Sequence, residues 1–446
     1  MKKNNVDYTA ELEKKQMNRN RKNLSDCVLM LALAFFFAPT PCFAAVETVS
    51  PVAGGTVALV PEAQKKVMSL PTLADRIKLF ADDAAAEKVL RRDPLWRKSV
   101  PLVMKWRSTE GEIGPWKVEI GKSPDLSDAR AWYFPDSNKD AAAGRGDGKA
   151  DASAKGKEVS RTIPMANLEI AREYFWRVTG RLSCGPKCHA RHLCGGKQRL
   201  VRSETASFRT EDVAPRWVEI TGDVSNIRDL GGWHTSDGHR VRQGMAYRGK
   251  GLNYNSLLGD APGADRLTMG DFRYLTGTLG IRTDLDLRSE AETGGMKESP
   301  LGPGVEFIHH SSQCYKGIFL ESGKKTMAEN FRVFCDRKNY PIYFHCIGGA
   351  DRTGSLAYVL NGVLGVDRHE LETDFESTFY PKIPDANPAT QDSWRREAHF
   401  NNGFAKYGKE GDSWNRRIEL YLLDCGVTEA EIAAFRDIML EPASGK

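Results

Sequence analysis

No part of this chain has less freedom in how it folds than Pro341 to Leu364, PIYFHCIGGADRTGSLAYVLNGVL. Ile342, Tyr343 and Phe344 favour a short buried strand, and Leu356, Val359, Leu360, Val363 and Leu364 recur at helical spacing. Only a tight loop fits between them. The run predicts a strand, a glycine-bearing turn and an apolar helix, with Cys346 at the strand's end and Arg352 at the mouth of the helix.

Such a loop is a cup for a tetrahedral dianion. A helix N-terminus leaves unpaired N–H groups and the positive end of its dipole, and a curled loop adds further amides. Ile347, Gly348, Gly349, Ala350, Thr353 and Gly354 are the expected substrate-binding positions, and Arg352 can grip two phosphate oxygens with its planar fork. The same field favours the thiolate of Cys346, the expected nucleophile. Thr353 can donate its hydroxyl to the sulfur. Asp351 stands where a carboxyl can protonate a departing oxygen; the alternative is a structural carboxylate paired with an arginine. The expected catalytic set is Cys346, Arg352 and Asp351, with no metal and no cofactor. The plain alternative, a buried structural cysteine, fits less well, because strand, loop and helix all agree with the motif.

From His345-Cys346 to Arg352-Thr353-Gly354 the sequence resembles the signature of cysteine-dependent protein tyrosine phosphatases, nearest the bacterial tyrosine/dual-specificity branch. Asn226 to Gly232 (NIRDLGG), with Asp237-Gly238, Val241 to Gly244 and Tyr247-Arg248, is similar to that branch's N-terminal hallmark. Gly280 to Glu290 is similar to its second strand and turn. The resemblance covers about the C-terminal half of the chain. It implies Asp351 as the acid, and Arg228 and Asp229 as braces of the phosphate loop where a plain reading has surface charges in a turn. It also places His345, Asp286 and Arg288 among the supporting residues. Many relatives carry an Asp acid on a loop ahead of the cysteine strand; Phe307 to Cys314 has none, so His309 or His310 are the substitutes. The branch commonly carries Lys before the Asp, a residue linked to phosphoinositide acceptance. Here that position is Ala350, which argues against lipid phosphate.

The alternation of strands and helices around this loop predicts a three-layer α/β domain over residues 213–446. Chain length allows a second domain, and a net charge of +5 with interleaved signs argues for neither a nucleic-acid partner nor a membrane surface. Residues 1–44 read as a signal peptide, with Met17 as the alternative start. Arg19, Arg21 and Lys22 precede the apolar run Cys27 to Ala38, and Cys42-Phe43-Ala44 precedes Ala45. The run is short for a membrane span. The expected destination is periplasmic or extracellular, without stable membrane insertion after cleavage.

Residues 45–98 read as a linker with a helical patch and no visible chemistry. Over residues 99–212 the period shifts to two, with strands expected from Leu102 to Trp106, Trp116 to Ile120, Ala131 to Phe134, Ser160 to Ile163, Tyr174 to Val178 and Thr205 to Arg209. Leu168, six before Tyr174, has the spacing of a tyrosine corner. The segment resembles a fibronectin type III module, an all-β sandwich, with a low-complexity insertion at 136–158. Within it Cys184, Cys188, Cys194, His189 and His192 have the donor types of a zinc site. Export favours disulfides instead, since six cysteines besides Cys346 would remain in the mature chain.

These readings point to a secreted phosphate-monoester hydrolase working through a cysteinyl-phosphate intermediate. Its expected partner is a phosphorylated protein, phosphotyrosine first, or a small phosphate ester. The alternatives are an inositol phosphate or phosphoinositide phosphatase, and an inactive phospho-ligand-binding or adhesion protein.

Overall fold

The computed structural model describes residues 42–43, 46–72, 75–76, 78–79, 99–108, 113–135, 158–182, 199–222, 224–253, 267–378 and 400–442. Most of the expected leader lies outside them, as do the helical patch at Ala84 to Leu90, the body of the 136–158 insertion and the Cys184–Cys194 cluster. No helix among the described residues is long and apolar enough to cross a membrane.

Packing sorts the described residues into two units that interleave in sequence. One takes its residues from Met1–Gly54, Met104–Arg161 and Tyr174–Phe208, the other from Gly55–Val103, Thr162–Glu173 and Arg209–Lys446.

The first unit is built of strands. Strands β2 (Val46–Ser50), β4 (Val103–Ser108) and β7 (Glu158–Thr162) form one sheet. The second runs β9-β8-β5-β6, from Arg199–Arg202 (β9), Glu173–Leu182 (β8), Ile113–Gly121 (β5) and Arg130–Phe134 (β6), all antiparallel. A two-residue strand β1 (Cys42–Phe43), inside the expected leader, runs parallel to β9, and β10 (Ala206–Thr210) lies beside β8. Alternation puts Met104 and Trp106 of β4, and Trp176 and Val178 of β8, out of solvent. Trp106 meets Trp116 edge-on, ring centres 5.2 Å apart.

The second unit opens with β3 (Gly55–Val57) and α1 (Glu62–Met68), then builds the predicted α/β domain. Its sheet runs β11-β12-β15-β13-β14, from Arg228–Asp229 (β11), Ala246–Gly249 (β12), Ile342–His345 (β15), Thr283–Asp286 (β13) and Glu306–His309 (β14). All neighbours are parallel except β11 against β12. The central strand β15 is buried on both faces, as its unbroken apolar run predicts. Ile342 and Phe344 join the core beneath the helices, whereas Tyr343 joins a second core with Tyr247, Leu275 and Ile281. Hence three layers.

On the helical face stand α4 (Glu321–Phe334), α5 (Arg352–Val363), α6 (Arg368–Ser377), α7 (Trp414–Asp424) and α8 (Glu429–Met439). α5 is flanked by α4, α6 and α7, and its residues from Thr353 to Val363 are all buried. A helix apolar on every side belongs at such a place, and each buried Leu or Val adds roughly 1.5–3 kcal/mol. On the opposite face the helix is short. It starts at Met269 (α2, Met269–Arg273), where Thr268 and Asp271 form a capping box, and loosens into a π-helical turn over Tyr274–Thr278.

Candidate active site

β15 delivers Cys346 to the floor of the unit, and residues 346–351 curl back to the start of α5. What shapes the curl is the fate of its carbonyls. Six consecutive ones point away from the cup, each onto a donor or beside one. The Cys346 oxygen lies 3.2 Å from His345 Nδ1, that of Ile347 accepts from the Gly251 amide (3.0 Å), and that of Gly348 from Asn226 Nδ2 (3.1 Å). The oxygen of Gly349 accepts from an Arg248 terminal nitrogen (3.1 Å), that of Ala350 from the Gly354 amide (3.0 Å), and that of Asp351 from the Ser355 amide (2.8 Å). With the carbonyls turned out, the amides turn in. None of the amides of Ile347, Gly348, Gly349 and Ala350 donates to a backbone acceptor among the described residues. That is an anion nest at a helix N-terminus.

Gly349 makes the closest approach. Its φ is +68°, and a Cβ there would sit 2.4 Å from the carbonyl of Gly249 at the end of β12. Only glycine fits this position without moving backbone.

Cys346 is 1 % exposed. Burial alone would raise its thiol pKa, but the Arg352 charge, with Thr353 beside the sulfur, outweighs it and holds the thiol below its ordinary value. Arg352 is positioned by Glu292, whose two oxygens take one N–H from each terminal nitrogen at 2.5 and 3.0 Å. Three of the five guanidinium donors are not engaged by Glu292. The pairing, aided by Ser289, drives the Glu292 carboxyl down to about 2 despite partial burial. Glu292 is also the third residue of α3 (Glu290–Thr293) and accepts from the amide of Ser289 at 2.7 Å.

Asp351 is the N-cap of α5, yet its carboxylate makes no capping hydrogen bond. Instead Oδ1 accepts from the hydroxyl of Tyr315. Tyr315 sits in the left-handed region (φ 53°), its amide donates to Ser355 Oγ, and its ring packs edge-on to Phe375. The carboxylate is therefore aimed by a group that no motif announces.

Beneath the loop lies a buried ionic layer. Asp374 of α6 holds Arg228 Nε at 2.8 Å and Arg248 at 2.7 Å, and Arg228 donates to Asn226 Oδ1 at 2.5 Å. Burial and the neighbouring Arg228 pull Arg248 down to about 10, so it stays charged at neutral pH. His345 lies 2.9 Å from Asp284 and 3.8 Å from Asp286, which raises its pKa against the effect of burial. Asp286 is gripped by Arg288 (2.6 Å).

The predicted residues thus fall into groups. Cys346, Ile347, Gly348, Gly349, Ala350, Asp351, Arg352, Thr353 and Gly354 come together at the cup, and His345, Arg228, Asp286 and Arg288 stand behind it. Asp229 does not. Its carboxylate accepts from the amides of Gly231 and Gly244 and pairs with Arg216 at 2.8 Å, so it pins the preceding turn and braces no part of the phosphate loop. His309 Nε2 lies 2.7 Å from the Arg288 carbonyl and His310 Nδ1 lies 3.0 Å from Asn330 Oδ1. The expected full pairing of six cysteines fails at Cys335 and Cys425, which are free thiols; Cys335 donates to the carbonyls of Phe331 and Glu431 instead. The residues the motifs missed as site residues are Asn226, Arg248, Glu292, Tyr315 and Asp374. Of these Asn226 and Arg248 had a visible signal, inside the N-terminal hallmark. A cavity of about 210 Å³ lies elsewhere, among Leu59, Leu102, Met165, Arg216, Trp217 and Glu219, and no loop residue lines it.

Residues 220–441 match the model of the tyrosine phosphatase family. A protein of Cupriavidus necator, provisionally named a tyrosine-protein phosphatase, is 28 % identical over 178 residues, 34 % of this chain and 59 % of that protein. The chain thus spans about three fifths of that curated relative. The core catalytic domain of the PP-IP phosphatase SIW14 from S. cerevisiae, solved with citrate, is 16 % identical. That likeness covers 35 % of this chain and 88 % of the other at a TM-score of 0.22, too slight to bear on substrate. The tyrosine phosphatase family match supports a phosphoric monoester hydrolase.

Proposed function

We propose that this chain is a cysteine-dependent phosphatase that hydrolyses phosphate monoesters, with phosphotyrosine on protein as its substrate class. The observation that carries the reading is the outward set of loop carbonyls around a thiol whose ionised form is favoured. The Cys346 thiolate attacks phosphorus in line, a sulfur–phosphorus bond forms, and the ester P–O bond breaks. Arg352 and the inward amides hold the equatorial oxygens through the step. The departing oxygen takes the proton of Asp351. Water then gives a proton back to that carboxylate as it attacks phosphorus, and phosphate leaves with the sulfur again a thiolate.

The family match and the name of the C. necator relative favour a phosphotyrosine substrate. The leader pattern at residues 1–44 supports export to the periplasm or beyond, and the two sheets of the first unit, with β9-β8-β5-β6 antiparallel, support a fibronectin type III-like module. Chromogenic aryl phosphate turnover tests the chemistry. Cys346→Ser is expected to abolish it while inorganic phosphate still binds; turnover surviving that change removes the mechanism. A panel of phosphopeptides, phosphoinositides and inositol phosphates tests the substrate class. Preference for either of the latter two overturns the phosphotyrosine reading but not the chemistry.

A further inference from the structure

The chain ahead of residue 220 lies outside the family match, yet one of its side chains ends against α6, the helix that carries Asp374. Arg76 is fully buried. Its Nε lies 2.5 Å from Glu376 Oε2, and a terminal nitrogen lies 3.2 Å from Glu372 Oε2. The other terminal nitrogen donates to the Leu70 carbonyl at 3.0 Å and stands 3.4 Å from His369 Nδ1. His369 in turn reaches the Met68 carbonyl with Nε2 at 3.0 Å.

Glu372 and Glu376 are one turn apart on α6 and share a face. Asp374 lies between them, about 200° around the helix, on the opposite face. It holds Arg228 and Arg248, and Arg248 holds the carbonyl of Gly349. α6 is thus clamped from two sides, by Arg76 on one and by the loop's ionic backing on the other. A second tie runs parallel to the first. Trp217 donates to the buried Gln64 of α1 at 3.1 Å, and the Arg228 guanidinium sits 5.4 Å from the Trp217 ring centre. The stretch is itself anchored, since Glu211 accepts from the amides of Leu59 and Val60 and pairs with Lys65 at 2.5 Å.

We propose that Arg76 is a positioning residue for the phosphate loop, which it holds in register through α6, Asp374 and Arg248. Residues 59–72 and 75–76 are then a working part of the phosphatase unit and not a linker. The proposal rests on the cysteine-phosphatase reading above.

The test uses the full chain and two variants. Arg76→Met alone leaves two buried carboxylates without their cation, a change expected to destabilise strongly. The triple change Arg76→Met, Glu372→Gln, Glu376→Gln removes cation and charges together, so it folds while losing the hold. Aryl phosphate kinetics, competitive inhibition by inorganic phosphate, and thermal melting are measured on each folded protein. The triple variant is expected to melt near wild type yet show KM and the phosphate inhibition constant raised together by about ten- to a hundredfold, the scale of a misplaced binding loop. Wild-type KM and phosphate inhibition in the triple variant would mean that Arg76 only holds the fold together, and would overturn the proposal. The parent reading fails separately, by turnover that survives Cys346→Ser.

Discussion

Replacing Gly349 by alanine tests the cup most directly. At φ +68° an alanine enters the left-handed region at about 1–2 kcal/mol. Its Cβ would also lie 2.4 Å from the Gly249 carbonyl carbon and oxygen and 2.9 Å from the Lys250 nitrogen. These are backbone atoms at the end of β12, and no side chain can swing aside. Relieving the overlap pushes the loop off the strand, at a further cost of about 1–3 kcal/mol. The sum, roughly 2–5 kcal/mol, should lower the melting temperature by roughly 5–15 °C for a unit of this size. Displacing the Gly349 carbonyl from Arg248 swings its peptide and the amides beside it, so kcat/KM for an aryl phosphate should fall by about a hundredfold. Inhibition by inorganic phosphate should weaken with it. Gly280 is the control, because it too has φ +68° but nothing within 4 Å of a Cβ. Gly280→Ala should show the left-handed cost alone and normal kinetics. If Gly349→Ala melts no lower than Gly280→Ala and keeps kcat/KM within about twofold, β12 does not lock the loop.

Glu292→Gln keeps the shape of the group that grips Arg352 but removes its charge, so KM and the phosphate inhibition constant should rise by about 10–100-fold, the worth of a charge-assisted pair. Equal phosphate inhibition in mutant and wild type would show that Arg352 needs no such anchor. The Cys346 thiol is held below its ordinary pKa, so the acid limb of kcat/KM should lie below the usual thiol range. Stability from the thiolate follows the same sign: it is present above the ordinary thiol pKa and is lost as pH falls through the folded one. Thr353→Ala removes a hydroxyl that helps lower the thiol pKa and should move the acid limb of the pH–rate profile upward. An unmoved limb would assign the lowering to Arg352 and the amides alone.

How much of this was visible in advance depends on how far apart the partners lie. Cys346, Arg352 and the glycines between them were legible because strand, turn and helix are set by neighbours within a few residues. Asp229 was misjudged for the converse reason. It adjoins Arg228 in the chain, but on β11 successive side chains point to opposite sides, so one reaches Asp374 and the other Arg216. Glu292 looks like an ordinary capping residue until the fold brings it to Arg352, 60 positions on.

The chain's local pattern decided that there would be a three-layer α/β unit, that Cys346 would end a buried strand, and that an anion cup would open onto α5. Periodicity and turn chemistry act over short stretches and need no knowledge of the rest. Which side chains close the cup from outside was decided by tertiary packing alone. Arg76, Asn226, Glu292, Tyr315 and Asp374 each act on a group far away in sequence. A buried carbonyl or guanidinium requires some partner, but its chemistry does not specify where in the chain that partner must come from.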